Sequence, residues 1–191
     1  MLKSEKKLSE LNKMLVNGKY NEISDRISML RAEEPFMGAI RALALFYDKT
    51  ADESLKLLIS AFFNDMKERS ARAEVIESLK SVKNHSSRAM LVSSCWQSGL
   101  DYSDYAAAIA DSFMTGDYMT SLECFTALEN CAGTISYKDR AGIIFKLERA
   151  IPGYDAPMQK LASELITLIR GYSHGCRVKK EAMSRRSKTP D

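Results

Sequence analysis

The sequence predicts an all-α protein, on three observations. Apolar residues recur at three- and four-residue steps along most of the chain, the period of an amphipathic helix. Short turns carrying glycine, proline or a capping residue divide that pattern into segments of helical length. No segment alternates apolar and polar residues as a half-buried strand does.

Taken in order, residues 4–16 place Leu8, Leu11 and Leu15 on one stripe, and Asn17-Gly18 predicts a left-handed glycine cap. A second helix over about 20–33 turns Tyr20, Ile23, Ile27 and Leu30 inward. It stops at Glu34-Pro35, because proline disfavours a helical residue before it. Pro35 opens a third helix, with Phe36, Ile40, Leu43 and Phe46 or Tyr47 inward. A fourth (about 52–66) buries Leu55, Leu58 or Ile59, and Phe62, and a fifth (about 70–82) buries Ala73, Ile76, Leu79 and Val82. Asn84 and the serines after it can cap a sixth helix, lined by Leu91, Val92, Cys95 and Trp96 and ended by Gly99. After the connector Leu100-Asp101-Tyr102-Ser103 comes an alanine-rich seventh helix (104–115), closed by Gly116. Asp117 caps an eighth that buries Tyr118, Leu122, Phe125 and Leu128. A ninth, from 136 to about 151, buries Ala141, Ile144, Leu147 and Ile151 and stops at Pro152-Gly153. The tenth, about 156–172, carries Leu161, Leu165 and Leu168.

At 191 residues, 45% of them hydrophobic, the chain can bury one core without disulfide or metal staples. One helical domain over 1–173 is expected, with residues 174–191 as a basic, disordered tail or, alternatively, with the last helix continuing through Val178 to Met183. The tail carries Arg177, Lys179, Lys180, Arg185, Arg186 and Lys188 against Glu181 and Asp191, a local +4. With +3 for the whole chain, the body is close to −1, which does not describe a uniformly basic nucleic-acid surface. The opening MLKSEKKLSELNK alternates charge with leucine, unlike a signal peptide. No apolar run reaches the roughly 18 residues that cross a bilayer. A cytoplasmic protein with no membrane contact is expected.

The residues offer little chemistry. Cys95, Cys124, Cys131 and Cys176 show no CxxC spacing and read as reduced core residues. His85 and His174 are the only histidines, and neither accompanies a nucleophile signature, so no catalytic residue, cofactor or metal ligand is assigned. Carboxylate pairs such as Glu33-Glu34 and Asp101/Asp104 sit where they complement helix ends. One cluster stands out around the connector: Trp96, Asp101, Tyr102 and Tyr105. Aromatics of this kind either wedge between adjacent helical units or form the hot centre of an interface. The four residues are the first candidate interaction surface, and the basic tail is the second.

Internal echoes organise the chain. GKYNEISDRI at Gly18 matches GDYMTSLECF at Gly116, 98 residues on, and EVIESLKSV at Glu74 matches ECFTALENC at Glu123, 49 residues on. SRAMLV at Ser87 matches DRAGII at Asp139, aligning Arg88 with Arg140. Helix pairs repeating at 40–50 residues with an arginine early in the second helix resemble HEAT-like repeats. LVSSCWQSGLDYSDY and GDYMTSLECFTALEN in particular look like segments of small bacterial members of that group. The resemblance, over about residues 18–172, implies a right-handed α-solenoid of about ten helices in antiparallel pairs. It carries no activity; a repeat architecture without catalytic constellations leads to the expectation of a non-enzymatic scaffold that binds a protein partner through its concave face. The alternative it implies is a nucleic-acid-binding module related to the alkylpurine DNA glycosylases, with Trp96, Tyr102 and Asp101 in aromatic and acidic roles. The basic tail would add affinity for nucleic acid.

Overall fold

A computed structural model describes residues 3–33 and 36–186, with side chains described through Tyr172. Among these residues there are ten α-helices and no strand. They are α1 (Lys3–Asn17), α2 (Tyr20–Ala32), α3 (Ala39–Lys49), α4 (Glu53–Asn64), α5 (Arg72–Leu79), α6 (His85–Gln97), α7 (Ala106–Thr115), α8 (Tyr118–Cys131), α9 (Tyr137–Ala150) and α10 (Ala156–Arg186). Short 3-10 turns, Arg69–Ala71 and Ser103–Tyr105, lead into α5 and α7.

Capping chemistry accounts for several starts. The Asp52 side chain accepts from the N–H groups of Ser54 and Leu55, Asp117 from Thr120, and Ser136 from Asp139. Each satisfies first-turn donors that the helix itself leaves open. At α2 the Glu22 carboxylate reaches back to the Lys19 N–H at 2.8 Å.

Some boundaries differ from the sequence reading, each for a local reason. Gly18 is not left-handed; the glycines with positive φ are Gly38 and Gly99. Gly18 is instead needed for close approach, since a Cβ there would lie 2.5 Å from the Met14 carbonyl oxygen. The third helix begins at Ala39, after Gly38 at φ 91°, where a Cβ would also strike Leu8 at 2.6 Å. Glu34 and Pro35, read as the stop of α2 and the start of α3, lie outside the described residues. Of the two ends the sequence allowed for the last helix, the longer holds, and it continues to Arg186.

The larger difference is in α8. Tyr118 and Leu122, expected inside, are exposed, and the buried stripe is Thr120, Ser121, Cys124, Ala127, Leu128 and Cys131. This helix packs on α6, α7 and α10 together. Small side chains on its inner face let three neighbours approach, and the bulky ones are turned out. Their polar atoms are satisfied: the Ser121 hydroxyl donates to Phe113 O at 2.8 Å, and the Thr120 hydroxyl to His85 O at 3.4 Å. On α9 the inward residues are Arg140, Ile143 and Leu147, and Ala141, expected inside, is exposed.

The principal helix contacts run in two series. One joins α1, α3, α5, α7 and α9 in turn, the other α2, α4, α6, α8 and α10. The two are bridged by α1–α2, α3–α4, α5–α6, α7–α8 and α9–α10. Polar contacts follow the same step. Arg31 pairs with Asp65 (α2 to the end of α4), Glu74 accepts from the Arg41 N–H (α5 to α3), and Lys146 pairs with Asp111 (α9 to α7). Asp48, at the end of α3, accepts from the Lys83 and Asn84 N–H groups just before α6. Starts of α2, α4, α6 and α8 fall at 20, 53, 85 and 118, steps of 32–33 residues, and α10 follows at 156, 38 residues on. The 98-residue echo therefore links α2 to α8, three steps along one series. The 49-residue echo links α5 to α8, which belong to different series, and does not measure the step.

Candidate functional site

The four residues singled out by sequence fall in one neighbourhood, organised by an arginine that sequence reasoning passed over. Arg72 opens α5 and reaches the connector ahead of α7. Its guanidinium donates to the Asp101 carbonyl oxygen, lies 3.6 Å from the Asp104 carboxylate and sits 5.5 Å from the Tyr105 ring centroid. A planar guanidinium can meet a carbonyl and a carboxylate with its N–H groups while lying near an aromatic ring. The Asp101 carboxylate accepts from the Ser103 N–H at 2.9 Å and the Thr134 hydroxyl at 3.4 Å. Burial raises its pKa, but Ser103, Thr134 and the Arg72 charge outweigh that and hold it below the ordinary aspartate value.

Tyr102 lies inside the protein, 1% exposed, with its ring 6.2 Å from that of Tyr105. Its hydroxyl has no conventional hydrogen bond; its polar neighbour is the Cys95 thiol. Desolvation drives the phenol pKa upward. The expectation that Tyr102 belongs to a surface is therefore corrected: its side chain is part of the buried core. Trp96 is partly buried against the core, and its indole N–H donates to Glu123 at 2.9 Å, tying α6 to α8. Tyr105 is also partly buried. What the sequence grouped as a surface is a joint between α5, α6, α7 and α8.

Beneath it lie three free, buried thiols, Cys95, Cys124 and Cys131. Burial lifts all three above the ordinary thiol value, Cys131 to about 11, with the Asp101 charge adding to the effect on Cys131. No group of three or more His, Cys, Asp or Glu among the described residues is placed to hold a metal ion. No helix among them is long and apolar enough to cross a membrane.

A separate cleft of about 220 Å³ opens between α5, α6 and α7, lined by Leu79 and Lys80, by Arg88, and by Asp111, Ser112 and Thr115. Arg88, in the first turn of α6, is partly buried. Its Nε lies beneath the surface with no acceptor, and its terminal nitrogens make no hydrogen bond or ion pair among the described residues. Sequence had marked Arg88 only through its echo at Arg140. The two differ in use, because the Arg140 guanidinium donates to Gly133 O at 3.1 Å across the α8–α9 turn.

Of the basic-tail residues, the side chains of Arg177, Lys179, Lys180, Arg185 and Arg186 lie beyond those described, and Lys188 lies outside the described residues altogether. Comparison with protein-family models, curated proteins and solved structures finds no match to this chain.

Proposed function

We propose that the protein is a non-enzymatic, HEAT-like α-solenoid that binds a protein partner through its concave face. The observation that carries this reading is the next-but-one contact series, in which each helix packs on the helix one pair further along. Such quasi-one-dimensional stacking leaves an extended surface free for recognition. The 32–33-residue step from α2 to α8 is shorter than the roughly 40–47 residues of most HEAT pairs and near the roughly 34 of other helix–turn–helix repeats. The stack is HEAT-like in arrangement, with compact pairs.

Affinity capture on immobilised full-length protein, with nuclease present, followed by reconstitution with the purified captured protein, tests the reading. A stoichiometric complex in nuclease-treated samples supports it. Filter binding of nucleic acid at low salt, with no protein complex reconstituted, overturns it in favour of a nucleic-acid module. Trp96, Asp101 and Tyr102 lend that alternative no support, since Tyr102 is covered and the polar groups of the other two are engaged within the protein.

A further inference from the structure

We propose that the cleft between α5, α6 and α7 is an oxyanion site that receives a carboxylate side chain from an acidic segment of the partner, with Arg88 as its anchor. The inference rests on the scaffold reading and gives the partner a chemistry.

Among the described residues, Arg88 is the charge in the cleft without a partner. The Asp111 carboxylate is held by Lys146 at 2.6 Å, and Lys80 is paired with Glu77 at 3.2 Å. A partly buried guanidinium without an acceptor loses hydration and gains nothing in return. The other polar groups do not substitute. The Ser112 hydroxyl donates to Ala108 O and the Thr115 hydroxyl to Asp111 O, so both have already spent their hydrogens within α7. An occupant must therefore bring acceptors. The guanidinium fork favours a planar, charged one.

Size narrows the class. About 220 Å³ holds a handful of heavy atoms, room for one Asp or Glu side chain beside Leu79. Pockets for drug-sized molecules or cofactors run to roughly 300–1,000 Å³. The echo supplies a control within the chain: both arginines bury an Nε without an acceptor, but a terminal nitrogen of Arg140 donates to Gly133 O, whereas those of Arg88 make no such bond among the described residues.

The test uses full-length protein labelled with ¹⁵N at arginine, followed by NMR at low salt. The probes are a capped tetraglutamate peptide and, separately, inorganic phosphate. The Arg88 Nε–Hε resonance is expected to shift and saturate with the peptide. Because the readout belongs to Arg88, binding by basic residues after Tyr172 does not register. In uniformly ¹⁵N-labelled variants, read at the backbone amides of Ser112 and Thr115 in the cleft wall, Arg88→Met should weaken this binding at least tenfold and Arg88→Lys should restore part of it. No saturable shift with millimolar peptide overturns the proposal. So does a shift with phosphate alone, which would make the cleft a small-anion site. An unchanged partner complex with Arg88→Met defeats the inference and leaves the scaffold reading intact. Saturation by tetraglutamate with no protein complex obtainable defeats the scaffold reading alone.

Discussion

Two arginines meet α7 and its approach from neighbouring elements, and they are used in opposite ways. Arg72 is fully engaged, with the Asp101 carbonyl, the Asp104 carboxylate and the Tyr105 ring around it. Arg88, farther along the same group of helices, lines a cleft with no partner for its charge among the described residues. Conspicuous chemistry in a sequence and available chemistry in a fold are thus different things. The Trp96–Tyr105 stretch draws the eye because it is aromatic, yet its groups are spent in joining helices. The less conspicuous arginine is the one left open.

The comparison can be broken at several points, from the largest expected effect downward. Tyr102→Ala removes a large side chain from the joint and should cost about 3–5 kcal/mol in urea unfolding, the range of aromatic truncations in cores. Tyr102→Phe should be close to neutral, since the hydroxyl has no conventional partner to lose. A large loss with Phe would show that the hydroxyl has a partner and the joint is held differently. Arg72→Ala should cost about 1.5–3 kcal/mol, the worth of a hydrogen bond to a charged group.

Acid should loosen the molecule more gently. Glu33 is held below its ordinary value by hydrogen bonds from Arg26 and Lys7, and Asp117 chiefly by Thr120. Asp48 and Asp101 are also depressed, with burial opposing and backbone N–H donors prevailing. For groups depressed in the folded state, the stabilisation is present above the unfolded value, about 4. It is lost as pH falls through the lower folded values. Glu74 has the opposite sign, because burial raises it and protonation relieves that cost. Four depressed groups against one raised group predict a urea midpoint that falls as pH drops below about 4, and Asp101→Asn should blunt the fall.

Much of the fold was legible because its signals are local. Asp52, Asp117 and Ser136 announce helix starts through their own side chains, and Gly99 does adopt the left-handed turn that ends α6. What was not legible depends on neighbours. The inner face of α8 is small because three helices crowd it, and a reading that sends the largest apolar residues inward selects Tyr118 and Leu122 wrongly. A signal was present in Ser121, Cys124, Ala127, Leu128 and Cys131, which recur at helical steps as a stripe of mostly small residues. The repeat step was obscured for a similar reason, since amphipathic helices of either series resemble one another. Nothing local marks Arg72 as a joint or Arg88 as open, because each depends on whether an acceptor from another helix arrives.

Urea unfolding of Arg88→Met beside the wild type tests the central contrast most directly. Methionine keeps much of the apolar stem and removes the uncompensated charge. The account predicts a midpoint equal to or above the wild type's, with an unchanged m-value. A loss comparable to that of Arg72→Ala would contradict it, because Arg88 would then be a structural residue with a partner of its own.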